Sequence, residues 1–339
     1  MAEIVVGIGS SHGPQLKMPP ERWSERGRFD RGNTALVYQG RDHTFAELAA
    51  ARTDFSAECA PEAQRARYDA CMAALRRLGE VVRAARPDVL VIVSSDHKEI
   101  YGDELLPPFA VYWGDGVDHV PFTGEHLAAM APGLAAAATG DVPSKPMRRP
   151  CHPGLARHLI TESARGGYDA AASRNLPPGR YGNHGIPHGW GFVYQAILGE
   201  DCAIPMVPVF VNTFWDPTPP DAARCHGFGR ALGAAVASYG EDLRVGVVAS
   251  GGLSHFVIDE DLDRAFLDAL RTNDAARLGG IDAQVMRSGT SELRNWITVA
   301  GAMSGTGLRA EVVDYQPCYR TEAGTGNAMG FVAWTADAA

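Results

Sequence analysis

Three short apolar runs, each followed within a few residues by a histidine, restrict what this chain can fold into more than any other feature. Val89–Val93, inside Asp88–Ser95 (DVLVIVSS), is unbroken and mostly β-branched, and it leads to Asp96, His97, Lys98 and Glu99. A strand buried on both faces of a parallel sheet reads this way. Ile4–Ile8 (IVVGI) leads to Ser10, Ser11 and His12, and Val245–Ala249 (VGVVA) leads through Ser250–Ser254 to His255. In open α/β sheets the working crevice lies beyond the carboxyl ends of the strands. The sequence therefore predicts three imidazoles at one edge of one sheet.

Helical stretches alternate with these strands. In 61–86, Tyr68, Cys71, Met72, Leu75, Leu78, Val81 and Val82 recur at helical spacing, and Pro87 stops the helix. With the first strand before it and Asp88–Ser95 after it, this is a strand–helix–strand crossover, which predicts a largely parallel sheet. Further helices are expected over 44–52, 125–138 with a break at Pro132-Gly133, 153–164, 221–239, 259–270 and 291–304. Strands are expected at 108–113, 204–212, 311–315 and 329–334, and the prolines at 205 and 208 suggest an edge position or a bulge for 204–212. Residues 141–153 read as a proline-rich loop. The irregular, charged stretch 18–60 reads as an elaboration over the edge or mouth of the sheet within a single catalytic domain covering 1–339.

Composition narrows the function. A net charge of −9 and the lack of a basic stripe argue against a nucleic-acid partner. There is no apolar run of about 18 residues that would span a membrane, and the start, MAEIVVGIGSSH, does not read as a leader. Six scattered cysteines without a CxxC pair read as reduced thiols, and the expected compartment is the cytoplasm.

His12 and His97 fall on separate loops at the predicted sheet edge. Two neutral imidazoles placed together invite a divalent first-row metal, and one carboxylate would complete a facial set. Glu292, in the first turn of the last strong helix, is the candidate; the plainer reading is a carboxylate favoured by the helix dipole. His12 and His97 could equally be turn histidines satisfied by backbone. His255 follows Gly251-Gly252, where glycine permits close backbone approach. A histidine beside a metal but not bound to it can act as base and then acid. His184 and His188 flank Gly185-Ile186-Pro187; His184 is placed near the site, and His188 is a candidate substrate contact whose role stays open.

Ser10-Ser11-His12-Gly13-Pro14, Ser95-Asp96-His97, Asn183-His184-Gly185, Gly251-Gly252-Leu253-Ser254-His255 and Ser291-Glu292-Leu293-Arg294-Asn295-Trp296 occur in this order along the chain. Together they resemble the class III (type II) extradiol ring-cleavage dioxygenases, the superfamily of the protocatechuate 4,5-dioxygenase β chain. The resemblance implies an α/β three-layer sandwich with helices on both faces of a largely parallel or mixed sheet. It implies His12, His97 and Glu292 as iron(II) ligands, His255 as the acid–base histidine and His184 as a second active-site histidine. It implies a small aromatic diol or aminophenol and O2 as reactants, and a homodimer is the expected assembly. The stretch between the first two ligands is longer than in the β chain, with 18–60 the excess and a candidate built-in lid.

Two rival functions use the same residues. Two histidines and a glutamate also suit a zinc hydrolase with an activated water, and a non-enzymatic binding protein could share the fold. Arg148, Arg149, Arg180, Lys98 and Arg294 are each candidates to pair with a substrate carboxylate.

Overall fold

Along Val89–Val93 successive side chains point to opposite faces, and both faces are covered. Val89, Val91 and Val93 pack with Val207, Val209, Val245 and Val247 in one core. Leu90 and Ile92 pack with Met206, Phe210 and Val248 in a second core on the other side. This double burial is why the run is apolar throughout instead of alternating. The computed structural model describes residues 1–34, 36–131, 133–177 and 185–336.

The strands in chain order are β1 (Glu3–Ser10), β2 (Leu36–Tyr38), β3 (Arg41–His43), β4 (Val89–Ser94), β5 (Phe109–Tyr112), β6 (Gly116–His119) and β7 (Met147–Pro150). They continue with β8 (Ala171–Ser173), β9 (Met206–Val211), β10 (Arg244–Ser250), β11 (His255–Val257), β12 (Arg309–Tyr319) and β13 (Thr325–Thr335). Nine of them form one sheet in the order β11-β13-β1-β10-β4-β9-β5-β8, with β12 paired to β13; β2-β3 and β6-β7 are separate hairpins. The centre, β1-β10-β4-β9, is parallel. Antiparallel pairing enters on both flanks, at β1-β13 and at β9-β5. The sheet is thus mixed with a parallel centre, and β1, β10 and β4, the three histidine-delivering strands, are neighbours.

Helices cover both faces. Pro61–Ala85 brings Leu75, Leu78 and Val82 to one core. It begins with proline, whose missing N–H would be unpaired there anyway, and ends at Arg86, in the left-handed region at φ 46° just before Pro87. On the other face Ala222–Ala237 supplies Phe228 and Leu232, and Leu293–Met303 supplies Trp296, Ile297 and Val299.

Several expectations are corrected. β9 is internal, between β4 and β5, with continuous register against β4. Pro208 is accommodated because its other flank is open there: the chain bridges Cys151 at Met206, and the β5 ladder begins only at Val209. Residues 141–153 are not all loop, since β7 pairs with β6. Residues 311–315 and 329–334 are parts of two longer strands, β12 and β13, and β13 is interior to the sheet.

The stretch 18–60 contains a helix at Trp23–Gly32, the β2-β3 hairpin and a helix at Phe45–Ala51 that opens with a Thr44/Glu47 capping box. Asp30 holds the Arg320 guanidinium at 2.6 and 2.9 Å, with both side chains buried. Trp23, fully buried, donates from Nε1 to the Gln15 carbonyl.

Candidate active site

Each functional side chain is delivered by a turn that the sequence enforces. After β4, Asp96 accepts the backbone N–H groups of Lys98, Ile100 and Tyr101 at 3.2, 3.1 and 2.8 Å. This ties a tight turn in which His97 and Lys98 adopt left-handed conformations, φ 47° and 61°. That conformation is uncommon for residues other than glycine and is held here by the half-buried Asp96 carboxylate. After β10, Gly252 makes room for the His255 ring: a β-carbon there would run into it, and one at Gly289 would meet it from another side. Glu292 ends the short 3₁₀ turn Ser288–Glu292 and caps the helix Leu293–Met303; it precedes the first helical turn, where the sequence placed it within that turn.

These turns converge on the Glu292 carboxylate, which is 2% exposed. Its Oε1 lies 3.2 Å from His12 Nε2 and 2.6 Å from His97 Nε2. Its Oε2 takes the Gly252 N–H and lies 3.8 Å from His255 Nε2. His188 joins the cluster, with its Nε2 3.3 Å from His12 Nε2 and its Nδ1 bonded to Glu99. Ligand atoms of His12, His188 and Glu292 all lie within 4.8 Å of one another. His97 stacks on His188 with ring centroids 5.7 Å apart. His184 and Arg180 lie outside the described residues.

The hydrogen-bond partners fix which ring nitrogens carry protons. Ser250 Oγ spends its hydrogen on the Gly189 carbonyl at 2.6 Å, so at 2.9 Å it accepts from His12 Nδ1. His12 Nε2 is therefore a bare lone pair facing Glu292. Burial pushes the His12 imidazole down to about 4, so it is neutral near pH 7. His255 Nδ1 faces the Leu253 carbonyl at 2.8 Å, which only accepts; its Nε2 is the free base, and burial lowers its proton affinity. His188 Nδ1 donates to Glu99, which aims its Nε2 at His12. Burial alone would raise the Glu292 carboxyl; charge or an N–H presented by the His12 and His97 rings holds it well below the usual range, a part a cation takes when His12 Nε2 is bare. Among the described residues its ion-pair partners are imidazoles alone. The bare His12 Nε2 and the Glu292 Oε1, 3.2 Å apart, both present lone pairs and repel one another unless a cation lies between them. The N/O donor set fits a divalent first-row metal.

The cluster lines a cavity of about 340 Å³, within the range of small-ligand sites. Phe122, Met130, Leu134, Ala137, Phe214 and Phe256 supply apolar wall. Of the basic residues expected to meet a substrate carboxylate, the four that are described are used elsewhere. Arg149 donates to the Glu200 and Cys202 carbonyls at 2.6 and 3.1 Å, and Arg294 to those of Pro220, Thr213 and Met286 at 2.6, 2.8 and 2.8 Å. Both neutralise loop carbonyls that folding takes out of water. Arg148 pairs with Asp115 and Lys98 with Asp103. The sequence reading missed Lys17, Arg26, Glu99 and Asp141, all of which line the cavity. Lys17 and Asp141 pair at 2.6 Å. Only Glu99, two residues beyond His97, sat near a flagged motif.

Comparison with known proteins now defines the class. The family described as the catalytic LigB subunit of aromatic ring-opening dioxygenase matches residues 54–326, and the chain belongs to this family of extradiol enzymes. Gallate dioxygenase of Pseudomonas putida is 30% identical over 186 residues, covering 49% of this chain and 50% of that protein. The 2,3-dihydroxyphenylpropionate/2,3-dihydroxicinnamic acid 1,2-dioxygenase of Mycobacterium ulcerans is 29% identical over 187 residues, 55% of this chain and 50% of that one. The chain thus spans about half the length of these relatives. The Cupriavidus necator protein of the latter name is 25% identical over 289 residues, 69% of this chain and 82% of its own. An uncharacterized protein of Escherichia coli K12 aligns over 97% of this chain and 99% of its own, with a TM-score of 0.47 and 15% identity. Among the described residues no helix is long and apolar enough to cross a membrane.

Proposed function

We propose that this chain opens an aromatic ring beside a vicinal diol, or a related ortho-substituted phenol, using O2 and iron(II). The observation that carries the reading is the convergence of His12, His97 and Glu292, with the free-base nitrogen of His255 on the other oxygen of the same carboxylate. His12, His97 and Glu292 would hold the ion. A ferrous centre supplies a site where a chelated diol and O2 can exchange electrons, which two histidines and one carboxylate leave room for.

The protein's own part is positional and protonic. His255 Nε2 takes a phenolic proton as the diol binds and returns it as the ring opens. Its Nδ1–H bond to the Leu253 carbonyl keeps that nitrogen in the accepting form. Glu99 orients His188 toward the cluster, so His188 is placed to touch a diol oxygen. The phenylalanine walls hold the ring and keep water from it. The stretch 18–60 acts as one wall of the same catalytic unit, a role supported by Arg26 lining the cavity.

A second reading of the ligand set has a specific basis: the compact group of His12, His188 and Glu292 would put His188 in the place of His97. Function itself is tested by loading the full chain anaerobically with iron(II), then adding O2 with catechols, trihydroxybenzoates and aminophenols. The expected result is one O2 consumed per ring and a coloured ring-fission product. Activity with zinc on ester or amide substrates, without O2 uptake, would establish the hydrolase instead.

A further inference from the structure

Pairing the charges that face the cavity leaves one over. Glu99 is matched by His188 and Asp141 by Lys17, and Glu292 belongs to the imidazole cluster proposed to hold a metal ion. Behind the wall Asp30 is committed in both oxygens to Arg320. Arg26, one helical turn before Asp30, lines the cavity with no hydrogen-bond or ion-pair partner among the described residues, and its Nε is buried without an acceptor. The wall fixes its stem: a β-carbon on Gly133 would sit 3.0 Å from Arg26 Cδ. The guanidinium also lies over the Phe29 ring, 5.4 Å from its centroid. Burial and the nearby Arg320 charge push its proton affinity down to about 10, so it stays charged at neutral pH. Asp30 attracts it from behind the wall without pairing with it; a half-buried guanidinium whose Nε lacks an acceptor is satisfied best by a planar two-oxygen anion.

We propose that Arg26 is the specificity determinant for a carboxylate on the substrate, so that the cavity takes an aromatic diol bearing an acidic substituent. The assignment rests on reading this cavity as the substrate site. The family match begins at residue 54, so Arg26 lies outside it. The diol end of such a substrate faces His12, His97, His188, His255 and Glu292. Its carboxylate reaches Arg26, and the ring crosses the apolar wall between them.

The test is binding, not turnover. Calorimetry on the full chain without O2, with and without iron(II), would compare 3-(2,3-dihydroxyphenyl)propionate and 3,4,5-trihydroxybenzoate with their neutral primary amides. At least one acid is expected to bind about tenfold or more tightly than its amide, as a charge-assisted two-oxygen contact gives. Arg26→Met should bring acid and amide within about twofold, and Arg26→Lys should restore part of the preference. Equal affinities for acid and amide in the wild-type chain, with both pairs, would overturn the proposal without any variant. A preference that survives Arg26→Met would overturn it too. A chain that prefers the acid through Arg26 but consumes no O2 supports this assignment and defeats the ring-cleavage reading.

Discussion

Four imidazoles meet one carboxylate, and their second nitrogens decide what each can do. His12 and His255 each spend Nδ1–H on a partner that must accept, Ser250 Oγ and the Leu253 carbonyl, which leaves Nε2 bare toward Glu292. One bare nitrogen suits a ligand and the other a base. His255→Phe is therefore expected to retain bound iron while ring-opening turnover falls by roughly 10²–10⁴-fold, the range for a lost general base. Metal content and O2 uptake on the same sample check it, and full turnover would remove His255 from the reaction. The choice between His97 and His188 as ligand is read from metal content as well. His97→Ala should lose iron, whereas His188→Ala should keep it and weaken diol binding; the reverse pattern would assign the place to His188. Sequence adjacency made His12, His97 and His255 legible, because a loop residue just after a buried strand has little choice of location. His188 was legible as a candidate substrate contact without a role, whereas Lys17 and Arg26 were not legible as cavity residues. Glu99 reaches His188 across 89 positions and Lys17 reaches Asp141 across 124, contacts that only the folded chain creates.

The loop from β10 into β11 is held by the helix Glu260–Arg271. Asp263 on that helix accepts the Ser254 N–H at 2.9 Å, the Ser254 hydroxyl at 2.6 Å and the Tyr315 hydroxyl at 2.8 Å. Ser254 in turn accepts the Asp259 N–H at 2.8 Å, so this short network sets the stance of His255. Burial pushes the Asp263 carboxyl up to about 7, against the hydrogen bonds that favour its ionised form. With a folded value above the unfolded one of ~3.9, stability relative to a neutral side chain is full at low pH and lost as pH rises through about 7. Asp263→Asn keeps the shape and can still accept the Ser254 N–H. Its unfolding free energy should thus gain on the wild type's between pH 5 and pH 8, by on the order of a few kcal/mol. Thermal melts across that range check the sign, and a difference independent of pH would show that Asp263 is ionised in both states. At this scale most elements were readable from periodicity and proline punctuation. β9 was misplaced because a proline marks an edge only when both flanks of its strand need donors, and Pro208 has one flank open.

For the whole molecule, the parallel centre β1-β10-β4-β9 brings three loop ends to one place, and antiparallel β13 and β5 extend the sheet on either side. Alternation of long strands with helices made that centre legible. The cavity wall from 18–60 and from the segment with Met130 and Leu134 was not, since these carry no pattern that says where they pack; 18–60 is attached by long-range contacts such as Asp30 to Arg320 and Leu36 and Leu48 against Val257 and Ala323. The central claim is that this topology assembles one ferrous site from His12, His97 and Glu292 in a cavity shaped for an aromatic diol. Electron paramagnetic resonance of the nitric oxide adduct, formed anaerobically on the iron-loaded chain, tests it most directly. The account predicts one high-spin ferrous–nitrosyl centre per chain, altered by a bound diol and abolished in Glu292→Ala. A chain that binds no iron, or whose signal survives Glu292→Ala unchanged, would contradict it.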